Sequence, residues 1–232
     1  MRYHVEFDID FKRNPYKGRY IVIEGIDGGG KTTQVARLAR YFKNAGKHVV
    51  ITGEPRKSKG AFGKLIHEIL LAKVHIPSVA FQYLFSADRA MHHEELVIPA
   101  LKIGDIVMSD RCFWSAVPYG IMDAMLGKKE ARYDYSMGNV ILSAQSILSM
   151  YHQFMLPDIT FYLDISVDTA MKRLGQKEQA KEIYEKRETL EKISLGYKWL
   201  ITQFPNEFTV INGEKSEEEV TREIIKKIDN LK

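Results

Sequence analysis

Residues Gly25-Ile26-Asp27-Gly28-Gly29-Gly30-Lys31-Thr32 fit the pattern G-x-x-x-x-G-K-[ST]. An apolar run from Tyr20 to Glu24 precedes them, and a helical pattern follows in which Val35, Leu38, Ala39 and Phe42 share one face. Strand, glycine-rich loop and helix in that order make a phosphate cradle. Glycines leave backbone N–H groups open to phosphate oxygens, and the helix N-terminus adds a favourable dipole. Lys31 supplies a mobile positive charge for β- and γ-phosphates, and Thr32, followed by Thr33, can offer its hydroxyl to Mg²⁺. Asp27 projects toward the place where an acceptor or metal-bound water would lie. The competing reading, a glycine-rich turn with a solvated lysine, has no need of the flanking strand and helix.

Four further apolar runs read as buried strands: His48 to Thr52, Asp105 to Ser109, Ile159 to Asp164 and Phe208 to Ile211. Helical stretches lie between and after them, at Phe62 to Leu71, Ser78 to Leu101, Ser136 to Met155, Val167 to Leu174, Glu178 to Phe204 and Ser216 to Leu231. Gly46 suits a left-handed helix cap. The alternation predicts an α/β fold with three layers, a five-stranded parallel sheet flanked by helices, and ligands at the carboxyl ends of the strands. With the phosphate loop after the first core strand, this is the P-loop NTPase arrangement. Tyr3 to Phe11 alternates apolar and polar residues, so residues 1–18 read as an N-terminal extension carrying an extra edge strand. It joins residues 19–232 through the turn-like Asn14-Pro15-Tyr16-Lys17-Gly18.

The 232 residues suit one medium domain, and 34 Lys and Arg against 30 Asp and Glu give a net charge of +4. That mild excess favours small anionic ligands and lacks the basic block of a nucleic-acid arm. Cys112 is the sole cysteine, so neither an intrachain disulfide nor a cysteine zinc cluster is available. No uncharged apolar run is long enough for a bilayer, and the N-terminal alternation is unlike a signal peptide. A cytoplasmic protein without membrane attachment is expected. His92-His93 lack the i, i+4 spacing of a helical zinc pair and read as solvent-exposed; Trp114 and Trp199 read as packing residues.

The run Val107-Met108-Ser109-Asp110-Arg111 brings a carboxylate and a guanidinium to the carboxyl edge of the sheet. Arg111 can hold a monophosphate bidentately, and Asp110 can orient it, bind metal-bound water or accept from an acceptor hydroxyl. An ion pair that merely closes a loop is the other reading. Phe85 and Arg89, four apart in a helical stretch, share a face and can clamp a nucleobase. Alternatively Phe85 is ordinary core and Arg89 a surface charge. A phosphate loop alone does not separate kinase from GTPase, but no Asn or Thr here is followed by Lys, so a guanine-reading segment is absent.

These residues resemble the thymidylate kinase family. The resemblance is carried by Ile21 to Gln34, Gly53-Glu54-Pro55, Leu84-Phe85-Ser86-Ala87-Asp88-Arg89, Asp110-Arg111-x-x-x-Ser115-x-x-x-Tyr119 and Pro157 to Asp164, in the family's order and spacing. It implies Mg-dependent transfer of phosphate from ATP to dTMP, giving dTDP for dTTP synthesis, by a homodimer packed through helices. It further implies that Phe85 stacks on thymine and Arg89 hydrogen-bonds it. Arg111 would grip the acceptor phosphate, with Ser115 in the same motif, and Asp27 would sit by the acceptor's sugar hydroxyl and the metal. Tyr119 would crowd the 2′ position, and Glu54 with Arg56 or Lys57 would lie near the transferred group. Thr32 and Asp110 are the metal candidates.

Pro118-Tyr119-Gly120 replaces the Ala-Tyr-Gln of many members, and Ala116 stands where some carry an Asn that helps read thymine. The phosphate loop holds no arginine, so a lid at about 171–187, rich in Lys and Arg, should supply the catalytic one, with Arg173 the first choice. A solvated Lys/Glu helix face is the other reading of that stretch. A kinase for another monophosphate or small metabolite, and a non-catalytic ATP-binding regulatory protein, stay open at this point.

Overall fold

One short strand, buried on both faces, organises the fold. A computed structural model describes residue 8 and residues 10–57, 60–120, 140–176 and 182–230. In strand β2 (Arg19–Glu24), Ile21 and Ile23 face one core while Tyr20 and Val22 face another. Residues two apart share a sheet face, so an apolar strand buried on both sides must be covered twice. The first face lies under α1 (Lys31–Asn44) and the C-terminal helix Glu217–Asp229, through Val35, Leu38, Phe42, Val220, Ile224 and Ile228. The second packs against Val97, Leu101, Phe113, Trp114 and Tyr197. Each large side chain buried in this way contributes roughly 1.5–3 kcal/mol.

The remaining sheet strands are β3 (Val49–Gly53), β4 (Ile106–Asp110), β6 (Ile159–Asp164) and β7 (Phe208–Asn212), in the spatial order β3-β4-β2-β6-β7, all parallel. They match the five predicted runs with ends shifted by a residue or so. The register sets Ile23 opposite both Asp110 and Phe161, which brings the ends of β2 and β4 level to within a residue, while β6 runs two residues past the partner of Glu24. The chain leaves β2 for β3 on one side and reaches β6 on the other, so the crevice opens above β2.

The helices between are α2 (Gly63–Leu70), α3 (Ser78–His92), α4 (Ile98–Ile103), α5 (Val140–Tyr151), α6 (Val167–Gly175), α7 (Arg187–Gln203) and α8 (Glu217–Asp229). Between β4 and α5 lie a 3₁₀ turn at Phe113–Ser115 and a helical run at 116–120. Three predicted helices differ. The one predicted to run to Met155 ends at Tyr151, and Met155 lies in a short strand, Met155–Leu156. The stretch from Ser78 is interrupted by a π turn at His93–Val97, where the Ile98 N–H reaches back to the His93 carbonyl. Pro99 would collide with the carbonyl four residues earlier in a regular α-helix, and the wider turn relieves that clash. The helix predicted from Glu178 starts at Arg187: Ile183 N–H donates to the Leu70 carbonyl at 3.0 Å, which ties the preceding segment to α2.

The edge strand predicted over Tyr3 to Phe11 lies mostly outside the described residues. Just after it, β1 (Lys12–Arg13) pairs in parallel with β5 (Met155–Leu156) in a two-stranded sheet. Phe11 stacks on Phe113 at 5.9 Å, and Arg13 forms an ion pair with Glu207, which anchors the segment to the turn before β7. The predicted turn is present: the Asn14 side chain accepts from Tyr16 N–H and donates to the Gly18 carbonyl. Lys177 and Lys181 of the predicted lid, and the start of the helix predicted from Ser136, lie outside the described residues. No helix among the described residues is long and apolar enough to cross a membrane.

Candidate active site

The loop after β2 depends on glycine at two positions. Gly28 has φ +81°, and a Cβ there would lie 2.7 Å from the Ala170 carbonyl oxygen. Gly30, at φ 87°, is the left-handed residue that starts α1. The first turn of α1 contains no acidic residue of its own, which favours an anion at its N-terminal N–H groups. Lys31 is buried and donates to the Ile26 carbonyl at 2.9 Å, with its Nζ 3.8 Å from Asp27. Burial and the neighbouring Arg111 push the Lys31 ammonium down to about 8. Thr32 donates its hydroxyl to Asp110 at 2.6 Å.

Arg111 follows β4 with φ 74°, an unusual conformation for a residue other than glycine. Its N–H donates to the Ile23 carbonyl at 2.9 Å, and its guanidinium folds back over the phosphate loop. Nη2 reaches Asp27 Oδ1 at 2.6 Å and the Tyr119 hydroxyl at 2.7 Å; Nη1 reaches Ser115 and Tyr197 hydroxyls, each at 3.0 Å. Tyr119 in turn donates to Asp27 Oδ2 at 2.9 Å. Burial alone would raise the Asp27 carboxyl, but Arg111, Lys31 and the Tyr119 hydroxyl outweigh it and hold it well below the usual carboxylate range.

Beneath this knot lies Glu24, fully buried, which accepts from Cys112 N–H and from the hydroxyls of Ser115 and Tyr197. A buried carboxylate requires such partners. Sequence reasoning assigned no role to Glu24 or Tyr197. A carboxylate ending an apolar strand beside a phosphate loop is a usable signal for the first. Tyr197 comes from α7, 86 residues beyond Arg111, and only the fold reveals it.

One cavity of about 940 Å³ joins these groups to the acceptor candidates. Its wall includes Gly28 to Gln34, Asp110, Arg111, Ser115 and Arg173, and at the other end Phe85, Arg89, Ala116, Tyr119 and Tyr184. Phe85 lies beside Phe81, with ring centroids 4.2 Å apart. Arg89 is buried, with Nε bonded to Glu54 and its guanidinium 4.7 Å from the Tyr151 ring centroid, so it is no surface charge. Arg173, on α6, donates to the Gly213 carbonyl at 3.0 Å and brings Nη1 within 3.9 Å of the position a Cβ on Gly30 would take.

Other side chains are engaged differently from expectation. Glu54 lines the cavity but is held by Arg89 and His92; Arg56 also lines it, with its guanidinium bonded to Asp88 and Glu95. Lys57 forms an ion pair with Glu182, linking the loop after β3 to the segment before α7. His92 and His93 are buried, not solvent-exposed: His92 lies against Glu54 and Thr52, and His93 against Tyr20 and Phe154. Cys112 is likewise fully buried, under the Arg111 knot. Trp114 packs against Phe11, Phe113, Phe204 and Phe208, as predicted for a packing residue, and Trp199 is partly buried against the same core.

For Mg²⁺, the hydroxyl of Thr32 and the carboxylate of Asp110 form an oxygen pair at the mouth of the phosphate loop. The described residues contain no cluster of three or more His, Cys, Asp or Glu able to hold a metal. Mg²⁺ commonly takes one or two protein oxygens together with waters and substrate phosphates.

The family model for thymidylate kinase matches residues 23–224. A probable thymidylate kinase of Thermococcus onnurineus is 33% identical over 219 residues, covering 91% of this chain and 97% of the relative. A thymidylate kinase of Thermoanaerobacter sp. is 33% identical over 210 residues, covering 90% and 96%. The solved structure of Candida albicans thymidylate kinase superposes with a TM-score of 0.74 at 22% identity, over 94% of this chain and 93% of that one, which supports the fold. A match running from the end of β2 into α8, with relatives similar over nearly their full length, means that this chain belongs to the thymidylate kinase family.

Proposed function

We propose that this protein transfers the γ-phosphoryl group of ATP to dTMP, giving ADP and dTDP. The observation that carries the reading is the single cavity with a phosphate loop at one end and Phe85, Arg89, Arg111 and Tyr119 at the other. A nucleotide switch has no use for that second set. Family membership supports both the reaction and the acceptor.

In this reading Gly25, Ile26, Asp27, Gly28, Gly29 and Gly30 shape the loop that takes ATP phosphates, with Lys31, Thr32 and Thr33 at the start of α1. Arg111 holds the acceptor phosphate. A phosphate monoester is largely doubly ionised at neutral pH, so its oxygen attacks without a general base, and the work left is positioning and charge neutralisation. Asp27, kept ionised, holds Arg111 and Tyr119 in place; Ser115 and Glu24 brace Arg111 from below. Arg173, beside the phosphate loop, neutralises charge on the transferring oxygens, and the segment around Tyr184 excludes water. Mg²⁺, held through Thr32 and Asp110, would neutralise phosphate charge when bound. Phe85 stacks on the base. Arg89, a donor-only group whose Nη1 finds no protein partner, supplies hydrogen bonds to a thymine carbonyl. Tyr119 crowds the sugar. Glu54 acts by holding Arg89, and Arg56 by bracing the loop through Asp88.

The same reading takes residues 19–232 as the kinase unit, residues 1–18 as an extension to it, and a cytoplasmic setting. A homodimer through helices is supported by the outward apolar stripe Val79, Tyr83 and Met91, spaced by multiples of four along α3. The functional test is product analysis with Mg-ATP and dTMP. ADP and dTDP should appear in equal amounts; ADP without dTDP would reduce the activity to hydrolysis and overturn the assignment.

A further inference from the structure

A chain of buried polar contacts runs behind the proposed base pocket. Helix α3 carries Phe85, Arg89 and His92 at i, i+4 and i+7, on one face. Glu54, the first residue after β3, uses both carboxylate oxygens against that face: Oε2 accepts from Arg89 Nε, and Oε1 lies 3.1 Å from His92 Nδ1. His92 Nε2 lies 2.6 Å from the Thr52 hydroxyl. His92 is wholly buried, and the side chains of Glu54 and Arg89 are 2% and 6% exposed, so water does not substitute for these bonds.

The contacts also define the tautomer. Burial alone would raise the Glu54 carboxyl, but Arg89 and the His92 hydrogen bond outweigh it and hold it near 2. An ionised carboxylate only accepts, so the His92 proton sits on Nδ1 and the lone pair of Nε2 accepts from Thr52. His93 Nε2, 3.8 Å from the same Glu54 oxygen, is beyond hydrogen-bonding distance and does not replace His92.

We propose that His92 is a positioning residue for recognition of the acceptor base, acting through Glu54 to fix the Arg89 guanidinium beside Phe85. The inference rests on the reading of the cavity as a dTMP site. Stacking over Tyr151, at 4.7 Å, and near Phe154, at 5.9 Å, fixes the plane of the Arg89 guanidinium. The Nε–Glu54 bond fixes its rotation within that plane. With Nε committed, the Nη groups remain for the base, and their direction is set by where Glu54 is held. Removing His92 frees one carboxylate oxygen of Glu54 and with it the direction of Arg89. The neighbouring Arg56–Asp88–Glu95 group makes none of these contacts and does not compensate.

The test uses the full chain with His92→Leu, His92→Asn and Thr52→Val, varying dTMP, dCMP and ATP separately. Leucine should raise KM for dTMP on the order of tenfold, the size of one lost hydrogen bond to a buried charge. KM for ATP and kcat should stay within about twofold of wild type, the signature of lost acceptor binding alone. Preference for dTMP over dCMP should fall in parallel, because a donor-only arginine favours the thymine carbonyl over the cytosine amine. Asparagine, which can donate from the place of Nδ1, should restore most of the loss. Thr52→Val should give the same split in smaller measure, and it carries the test if the leucine variant does not fold. Equal damage by Leu and Asn, parallel rises in KM for ATP and dTMP, or an unchanged KM for dTMP would each overturn the proposal. A wild-type protein that binds ATP but transfers nothing to dTMP would overturn the reading of the cavity itself, and the positioning role with it.

Discussion

Arg111 Nη2 lies 2.6 Å from Asp27 Oδ1, joining the residue after β4 to the phosphate loop after β2 by a charged hydrogen bond at the centre of the cavity. The bond exists because parallel pairing brings the ends of the two strands level, with Ile23 opposite Asp110. Arg111→Ala should lower kcat/KM for dTMP by about 100-fold or more, since the acceptor phosphate loses its buried fork. ATP affinity should change far less. Arg111→Lys should rescue little, because an ammonium cannot serve Asp27, Ser115 and Tyr197 together. Steady-state kinetics in both substrates checks this, and equal losses for ATP and dTMP would contradict it.

Lys31 gives a proton-linked signature of ATP binding. Its ammonium is held near 8 by burial and by Arg111, and arriving phosphates reverse that bias. Binding of ATP at pH 8.5 should therefore take up protons, visible by calorimetry in two buffers of different ionisation enthalpy. Lys31→Met should abolish both the uptake and the transfer. Proton uptake that persists in the variant would place the titrating group elsewhere.

Arg173→Met should lower kcat by about 100-fold or more while leaving KM for dTMP near wild type, if its guanidinium acts on the transferring oxygens. A change confined to KM for ATP would make it a binding residue instead. Rapid-mix single-turnover measurements separate the two outcomes.

His93 and Glu54 make the fold sensitive to acid. Burial lowers the His93 imidazole to about 4, with Glu54 only partly opposing, against 6.5 for an unperturbed group. Between those values the unfolded chain binds a proton that the folded protein refuses, so stability falls as pH drops from 6.5 to 4. Glu54, held near 2, adds stability that is fully present above 4.5 and is lost as pH falls toward 2. His93→Phe should shrink the difference in urea midpoint between pH 7 and pH 5. An undiminished difference would assign the acid sensitivity to other groups.

Much of this was legible in the sequence because the signals were local. The five strands are short apolar runs, and the phosphate loop is a contiguous motif in its required context. That Phe85, Arg89 and Arg111 would meet at one cavity was legible through spacing together with family resemblance, and Arg173, singled out because the loop holds no arginine, lines the same cavity. What escaped depends on distant segments meeting. Tyr197 reaches Arg111 from α7, Arg56 is taken up by Asp88 on α3, and Glu24 is visible as a ligand of Arg111's supports only once β2, β4 and α7 are assembled. The two histidines read as exposed because adjacent helical positions point in different directions. In the folded protein both directions are covered, one by Glu54 and Thr52, the other by Tyr20 and Phe154. The π turn before Pro99 likewise leaves no trace in apolar periodicity.

Acceptor choice reports on the base and sugar pocket most directly. Purified protein, Mg-ATP and dTMP, dUMP, dCMP, dGMP, UMP or AMP offered one at a time should give the highest kcat/KM with dTMP, with dTDP as the product and little transfer to the ribonucleotide UMP. A higher value with dCMP, dGMP or AMP, or transfer to none of the six, would contradict the assignment of Phe85, Arg89 and Tyr119 to a thymidylate site.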